Sequence, residues 1–557
     1  MPHQSTTPDS AAATPRYDRT VATAHLDDFR QQQQHAATSA RQFAREHDLP
    51  PSTLQYWSRR QRGLAPDPVL AAFLDSPSGL DFVHQLSTAA HLVFCLQGPC
   101  GLRLLSAFLR LAGLDRVVAA SLGACHARQV QLEQAVVTFA QEERQRLATA
   151  MAPREITVAA DETYHPACCL VALDAAAGFL LVEKYAARRD QATWDAALAE
   201  GLTGLAAVTV RQVVGDCAKG LVAHAQQGLG VPHSPDLFHA QHELTTALAP
   251  ALAAHTREAQ RCLARLQDQR TAAQEAAVAA TTQPRGPGRP PDHASRVQQV
   301  EQSAAGMEQH VNVLLGRQEA LRTAIRGLGE DDHPVHLTTG HAQAAEQVRV
   351  HLEQRLTAVE QLAVTASVSA KAEPALKKVR RQLPGLVAAV AFFWVRAEAA
   401  ATARFGTEAW AWVQPLLCGQ YLRRVVGQVQ GAQRRQQLRT LADQCLAAAR
   451  LVAGCEPAAG WEAAERWGRE VASWFARSSS AVEGRNGQLA LRYHSLHRLP
   501  ARKLQALTAV HNYWLKRGDG TTAAERFFGQ PPANLFDYLV EHLPVPARPA
   551  QRRPKAA

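Results

Sequence analysis

The pattern of polar and apolar residues along the chain changes first near residue 36. Residues 1–35 are polar and rich in Ala, Thr and Gln, and we interpret them as a flexible tail. In residues 36–63, apolar side chains at helical spacing lie on both sides of Pro50 and Pro51, and Ser52 or Thr53 is placed to cap the second run. This pattern predicts two short helices joined by a tight turn.

The second of these predicted helices is basic. It carries Arg59, Arg60 and Arg62 at its end. A short helix, a tight turn and a basic second helix are typical of a helix-turn-helix that reads duplex DNA. An ordinary helical hairpin with a solvated basic end is the alternative, and we favour DNA binding.

Residues 64–150 form a region of amphipathic runs, such as 102–111 and 130–147, which predict helices without evident chemistry. Short apolar runs typical of strands follow, at 155–161, 168–174, 179–185 and 208–216. Helical stretches come after the third run, at 191–202, and after the fourth run, at 218–229. Residues 151–250 therefore predict an α/β sheet of mixed direction that begins with an antiparallel meander, with Gly178 in its second turn.

Residues 251–475 are almost wholly helical in pattern. Long Ala, Gln, Arg and Leu periodicity at 251–280 and 295–327 predicts a helical hairpin or coiled coil. The Pro- and Gly-rich segment between these runs contains Gly288-Arg289-Pro290, which resembles a hook for the minor groove of DNA. A plain linker is the interpretation that we prefer.

Composition narrows the class of protein. With 46% hydrophobic residues the chain can bury a core, which excludes wholesale disorder. The net charge is +10, with 52 arginines and 8 lysines. Arginine binds phosphate with two hydrogen bonds, so a polyanionic partner fits this composition. A GC-rich genome would give the same excess of arginine over lysine.

Cysteines and apolar stretches bear on the compartment. The ten cysteines show no CxxC spacing, so we expect neither a zinc ribbon nor a disulfide framework. The N-terminus lacks the apolar core of a signal peptide, and the most apolar stretch, 383–395, is too short to cross a bilayer. We expect a soluble, cytoplasmic protein.

Two carboxylates lie where predicted strands end. Asp161 ends the first strand and Asp216 ends the fourth. In a mixed sheet these two strands can lie side by side, which would place both acids at one rim, where hard oxygen ligands suit Mg²⁺. Glu483 is the candidate third ligand, in a helix that the serines at 478–480 can cap. Each acid also fits a turn or helix-cap role.

The sequence around these acids resembles the DDE transposases of bacterial insertion sequences. The matching stretches are AADETYHP at Asp161, VVGDCAKGL at Asp216, DLFHAQHEL at Asp236 and SSSAVEGRNGQL at Glu483. The later stretches YHSLHRLP and HNYWLKRGDGTTAAERFFG are similar to the end of such domains. The resemblance covers about 155–245 and 477–530, and is weaker over 39–63.

The resemblance implies an RNase H-like sheet in residues 151–250 and 476–545, interrupted by a helical insertion at 251–475. The fold class is then α/β plus all-α. It also implies that Asp161, Asp216 and Glu483 bind two Mg²⁺ or Mn²⁺ ions, with Asp236 and His239 near the site. Such a site cuts DNA strands and joins them to a target.

Other residues complete these expectations. Glu162 is expected to point away from the metals, as a surface carboxylate. Glu465 and Glu470 are alternative third ligands, because the insertion makes the spacing loose. Basic residues after Glu483 are expected to hold the phosphate backbone, and residues 546–557 form a basic tail. The candidates for DNA contact after Glu483 are Arg485, Arg492, Arg502 and Lys503.

The sequence therefore predicts a transposase that binds double-stranded DNA at element ends and target, as a homodimer or higher oligomer, without a membrane. In the cell it would be cytoplasmic and associated with the nucleoid when bound to DNA. A catalytically silent DNA-binding regulator and an RNase H-like nuclease are the alternatives. A purely structural coiled-coil protein is a third, and it leaves the acids at the strand ends without a role.

Overall fold

The protein is mostly helical and has one small mixed sheet. The computed structural model describes residues 19–62, 68–74, 76–282, 291–454, 458–476 and 480–549. In chain order the helices are α1 (Arg19–Ala36), α2 (Ala40–Glu46), α3 (Pro51–Arg62), α4 (Pro68–Leu74), α5 (Pro77–Ala90), α6 (Leu102–Leu111), α7 (Leu122–Thr149), α8 (Gln191–Leu202), α9 (Lys219–Ala223), α10 (Leu237–Thr282), α11 (His293–Asp331), α12 (Ala345–Thr365), α13 (Ser369–Phe405), α14 (Trp410–Val426), α15 (Ala432–Ala453), α16 (Ala458–Ala472), α17 (Ser480–Leu496), α18 (Ala501–Tyr513), α19 (Ala523–Phe528) and α20 (Leu535–His542). The strands are β1 (Arg154–Tyr164), β2 (Cys168–Asp174), β3 (Leu180–Tyr185), β4 (Val208–Gly215) and β5 (His233–Pro235).

Helices α1, α2 and α3 form a small unit with its own core. Ser39 caps α2 by accepting a hydrogen bond from the Gln42 amide, and α3 begins at Pro51. Ser52 and Thr53 therefore lie in the first turn of α3, and the prediction that one of them caps the helix is wrong. The unit is held by one apolar cluster, made of Ala22, Leu26, Phe43, Ala44, Leu49, Leu54 and Trp57.

The interpretation of residues 1–35 as a flexible tail is wrong from residue 19 onward. Arg19–Ala36 form α1, whose Ala22 and Leu26 are buried against α2 and α3. The helix is missed because most of its surface is polar, and only a few small or single apolar side chains face the core. The predicted tail before residue 19 lies outside the described residues, as do Gly288-Arg289-Pro290 and the basic tail from residue 550.

The sheet has the order β3-β2-β1-β4-β5. β1, β2 and β3 form the predicted antiparallel meander, and β1 pairs with β4 in parallel. β2 and α8 begin and end where the sequence predicts. β5 was not predicted, since three residues are too few to show a periodicity.

The two faces of the sheet are covered by different helices. Side chains alternate along each strand, so neighbouring residues of β1 reach opposite layers. Asp161 meets Asn486 of α17, whereas Glu162 meets Trp194 of α8. The sheet is buried between these layers, which is why β2 is a continuous apolar run.

The helical region predicted between the sheet and α17 begins at Leu237, earlier than the boundary at 251. α10 and α11 form an antiparallel hairpin, as polar contacts between them show. Gln241 pairs with the Ile325 carbonyl near the base, and Gln274 pairs with Glu301 farther out. The 46 residues of α10 span about 70 Å, so the hairpin reaches far from the sheet.

α13 ties this insertion to the sheet. A Cβ at Gly385 would lie 2.5 Å from Cδ of Pro235 in β5, so the helix packs directly on the edge strand. Arg396 then pairs with Glu155 at the start of β1, with a distance of 2.9 Å from Nε to Oε2. Its guanidinium also lies 3.9 Å from the ring centroid of Trp474.

α13 is also the one described helix that is long and apolar enough to cross a membrane by length and composition, with 33% of its apolar window buried. A single such helix is weak evidence, because the core helix of a soluble protein passes the same test. Many of its residues belong to a large apolar core with the neighbouring helices. The finding is compatible with a soluble protein. The nine cysteines within the described residues are all free.

Candidate functional site

Asp161 and Asp216 lie at the same rim of the sheet. Ala160 of β1 and Gly215 of β4 are paired in register, and each aspartate is the next residue. A Cβ at position 215 would lie 2.5 Å from the Ala160 carbonyl oxygen, so this close approach requires glycine. The prediction that the first and fourth strands are neighbours is confirmed.

Asp236 and His239 reach the same rim from β5. The Asp236 amide donates to the Gly215 carbonyl at 2.8 Å, which continues the parallel pairing beyond β5. Asp236 is 1% exposed, and its Oδ1 accepts a hydrogen bond from the Phe238 amide at 2.8 Å at the start of α10. His239 follows on the first turn of that helix. The position predicted for this Asp-x-x-His segment, beside the other acids, is confirmed.

α17 brings Glu483 and Asn486 to the rim from far along the chain. The two residues are three apart, so they share one face of the helix. The Asn486 side-chain amide donates to Asp161 Oδ2 at 2.8 Å, and Glu483 Oε1 lies 3.8 Å from His239 Nε2. Asn486 was not assigned a role from the sequence, although its spacing from Glu483 was the available signal. The serine cap predicted for this helix falls partly on 478 and 479, outside the described residues.

Asp236, His239 and Glu483 form a group at the rim, and their ligand atoms all lie within 4.8 Å of one another. Burial raises the pKa of Asp161 to about 6, and the charges of Asp216 and Asp236 add to this effect. The pKa of Glu483 is also raised, first by burial and then by Asp236. Carboxylates that crowd one another in this way are stabilised by a cation.

Several polar atoms of this group make no hydrogen bond within the part of the chain that the structure describes. They are Glu483 Oε1, His239 Nε2 and Asn486 Oδ1. Buried polar atoms are normally satisfied, and Glu483 Oε1 lies 3.8 Å from His239 Nε2, so these two atoms point to a missing partner. Carboxylate oxygens with one imidazole are a donor set that Mg²⁺ or Mn²⁺ accepts. The residues present therefore fit a divalent cation.

The neighbouring acids are accounted for elsewhere. Glu162 points to the other face, as expected, but it is not a surface carboxylate. Its side chain is 8% exposed and accepts a hydrogen bond from Arg189 at 3.0 Å. Glu465 pairs with Arg450 and Trp461 within the helical insertion. Glu470 acts electrostatically on Arg396, which lies at the opposite rim, so the structure favours Glu483 over both alternatives.

Arg485 is wrongly predicted as a DNA contact. It is 4% exposed and makes two hydrogen bonds of 2.7 Å to the carboxylate of Glu183 in β3. This ion pair holds α17 against the sheet and so fixes the side on which Glu483 and Asn486 lie. The partner is 302 residues away in the chain, which the sequence could not indicate.

The other predicted DNA contacts have varied surroundings. Arg492 donates to the carbonyls of Gln97 and Gly98, and Arg502 pairs with Glu133 at 2.9 Å. Burial lowers the pKa of Lys503. Arg59 is exposed on α3, and the side chains of Arg60 and Arg62 lie outside what the structure describes. Their roles in DNA binding stay predictions.

Comparison with known proteins gives one family. Residues 413–555 are similar to a family of unknown function (DUF6399). This segment includes Glu483 and Asn486 but none of the acids on the strands. No curated protein and no solved structure matches the chain. The similarity carries no argument about activity.

Proposed function

We propose that the protein is a DDE transposase that cleaves DNA strands at the ends of an insertion sequence and transfers them to a target. We propose further that its sheet, with α17, is an RNase H-like domain split by the helical insertion. The observation that carries the proposal is the meeting of Asp161, Asp216 and Glu483 at one rim, although 267 residues separate the second acid from the third.

The sheet order supports this proposal. The hypothesis requires β1 beside β4 and in parallel with it, so that both aspartates emerge together, and the sheet has this arrangement. It also requires a third carboxylate from a late helix, and α17 supplies Glu483. Two arginines near these acids are paired with other carboxylates, Arg189 with Glu162 and Arg485 with Glu183.

The chain's own residues have distinct tasks in such a reaction. Asp161, Asp216 and Glu483 would hold Mg²⁺ or Mn²⁺, and Asn486 would fix the orientation of Asp161. Bound ions would activate the attacking oxygen and stabilise the leaving oxygen of an in-line displacement at phosphorus. His239 has a side chain 39% exposed, but its Nε2 is buried 3.8 Å from Glu483 Oε1, so it would support that ligand. Asp236, which is buried, holds the first turn of α10 in place and offers a further ligand atom beside His239 and Glu483.

The expected partners follow from the reaction, in which two ends of one DNA element must be brought together. We propose double-stranded DNA as the substrate, bound in part by the unit of α1 to α3, and a homodimer or higher oligomer that brings two ends together. The protein would then be cytoplasmic and associated with the nucleoid on DNA. Light scattering that shows a monomer both free and on end DNA would exclude the oligomer.

Strand cleavage and joining on labelled DNA from the flanks of the gene tests the proposal. Reactions contain Mg²⁺ or Mn²⁺ and compare the wild type with Asp161→Asn, Asp216→Asn and Glu483→Gln. Each substitution keeps the shape of the side chain, and Glu465→Gln is a matched control from the insertion. We expect nicked and joined products that fall at least about 100-fold in the three site variants and persist in the control.

Two results would replace the proposal by an alternative. Tight binding of mapped ends without cleavage by the wild type would identify a silent regulator. Cleavage of an RNA–DNA hybrid without any joined product would identify a nuclease.

A further inference from the structure

The first turns of α13 rise above the rim that carries the acids. The helix runs against the direction of the parallel strands, because Gly385 packs on the end of β5 and Arg396 pairs with Glu155 at the start of β1. Lys378 precedes Gly385 by seven residues, which is about 10 Å along the helix. The segment 369–381 therefore stands beside the carboxyl ends of β4 and β5.

Lys378 lies close to the candidate site. Its ammonium is 2.6 Å from Glu243 Oε2 on α10, one turn beyond His239. It also acts electrostatically on Cys217, the residue after Asp216: the pKa of Cys217 is raised by burial and by Asp216, and Lys378 opposes this rise. Both Lys378 and Glu243 are exposed, so their pairing is weak and open to exchange.

Four more cations lie on the same segment, and Glu373 is its single acid. Arg380 is paired with Glu360, whereas the other three cations are exposed and have no ion-pair partner among the residues that the structure describes. They are Lys371, Lys377 and Arg381.

Lysine is rare in this chain, which makes its position informative. The sequence has 8 lysines against 52 arginines, and three of the eight fall between positions 371 and 378. A compositional bias towards arginine does not explain this group. A further lysine, Lys219, begins α9 three residues after Asp216 and is exposed.

A polyanion that approaches the rim is repelled by its four carboxylates. Cations on a flanking helix offset that repulsion and hold the backbone in place, because phosphate contacts set the position of a nucleic acid on a protein. We propose that segment 369–381 of α13 binds the phosphate backbone of duplex DNA beside the acid cluster, with Lys378 exchanging Glu243 for a phosphate. This inference rests on the proposed function and assigns a role to the helical insertion.

The test is the salt dependence of binding to a fluorescein-labelled duplex of random sequence and about three helical turns. Fluorescence anisotropy is measured in EDTA over a range of NaCl concentrations. The full chain is compared with Lys371→Gln/Lys377→Gln/Lys378→Gln and with the charge-matched control Arg103→Gln/Arg110→Gln/Arg116→Gln. We expect the lysine variant to lose at least about 10-fold in affinity and its salt slope to fall by about 0.9 per phosphate contact removed. The control should keep the wild-type slope.

A second pair of variants separates the cation from the ion pair. Lys378→Gln and Glu243→Gln both break the contact between α13 and α10, but only the first removes a cation. We expect weaker DNA binding for Lys378→Gln and equal or tighter binding for Glu243→Gln. Circular dichroism and the melting temperature confirm that each variant is folded.

An unchanged affinity and slope in the triple lysine variant would overturn this inference. If the site-acid variants still lost cleavage, the inference alone would have failed. If the wild type bound no DNA and cleaved none, the proposed function would have failed, and this inference with it.

Discussion

The side-chain amide of Asn486 donates a hydrogen bond of 2.8 Å to Oδ2 of Asp161, joining α17 to β1 across 325 positions of the chain. Asn486 lies one turn after Glu483, so the same helix face supplies a carboxylate and the group that orients another carboxylate. An amide donor favours the charged form of Asp161, which burial disfavours. The contact thus prepares Asp161 to act as a ligand.

We expect Asn486→Ala to weaken the binding of Mn²⁺ by about 10- to 100-fold, the usual effect of losing a partner that orients a ligand. Isothermal titration calorimetry with MnCl₂ measures this change. Leu491→Ala on the exposed side of the same helix is the control and should bind Mn²⁺ as the wild type does. An equal affinity for both variants would exclude an orienting role for Asn486.

Because Arg485 is paired with Glu183 in the interior, we expect its replacement to lower the stability of the protein strongly without removing a direct contact to DNA. Arg485→Met leaves the Glu183 carboxylate buried without its cation, which costs about 3–5 kcal/mol. Chemical denaturation followed by circular dichroism measures the loss. Adding Glu183→Leu to this variant should recover much of the stability, because both charges are then gone. If Arg485→Met were as stable as the wild type and bound DNA more weakly, the prediction that Arg485 contacts DNA would be restored.

We expect replacement of Gly385 by alanine to lower the stability of the protein, unlike most Gly→Ala changes in helices. In the middle of an exposed helix, Gly→Ala stabilises by up to about 1 kcal/mol. At position 385 the added Cβ would lie 2.5 Å from Pro235, whose ring cannot move aside easily, so we expect a lower melting temperature. Gly306→Ala and Gly316→Ala on α11 are matched controls with no atom within 4 Å of the new Cβ. A rise in melting temperature for Gly385→Ala would show that α13 does not pack closely on β5.

Two buried histidines predict a loss of stability in mild acid. Burial lowers the pKa of His91 and of His511 to about 4, and each ring donates a hydrogen bond, to Gln129 and to the Gly178 carbonyl respectively. The unfolded chain takes up a proton near pH 6.5, and the folded chain only near pH 4. Stability is therefore lost as the pH falls from 6.5 to 4, by about 2 kcal/mol per histidine at pH 5.

Melting temperatures at pH 7 and pH 5 measure this effect. The double variant His91→Gln/His511→Gln should show a smaller drop between the two values than the wild type does. An equal drop in both proteins would mean that other groups control the acid sensitivity.

Local patterns were enough to predict much of the sheet. The runs at 168–174 and 191–202 coincide with β2 and α8, because burial on both faces and helical capping leave clear local signals. β5 gives no such signal in three residues, and α1 shows too few apolar positions. These elements depend on tertiary contacts.

The sequence predicted the acids of the candidate site and the neighbouring positions of β1 and β4, but it did not predict Asn486. Asp161 and Asp216 were expected to end strands. This is correct for Asp216 and wrong for Asp161, because β1 continues to Tyr164. Glu483 was preferred because its surroundings resemble those in known transposases. The mistake at Arg485 has a physical cause, since an arginine in a basic helix looks the same whether it faces solvent or a distant buried glutamate. The close approach of His239 to Glu483 likewise depends on the fold of the whole insertion.

The measurement that tests the central claim most directly is the number of Mn²⁺ ions bound per chain, determined by electron paramagnetic resonance. The claim is that acids from β1, β4 and α17 form one metal site. The wild type should bind Mn²⁺, and Asp161→Asn and Glu483→Gln should each lose that binding, although their residues lie far apart in the chain. Glu465→Gln should keep it. Equal binding by the wild type and both site variants would contradict the account.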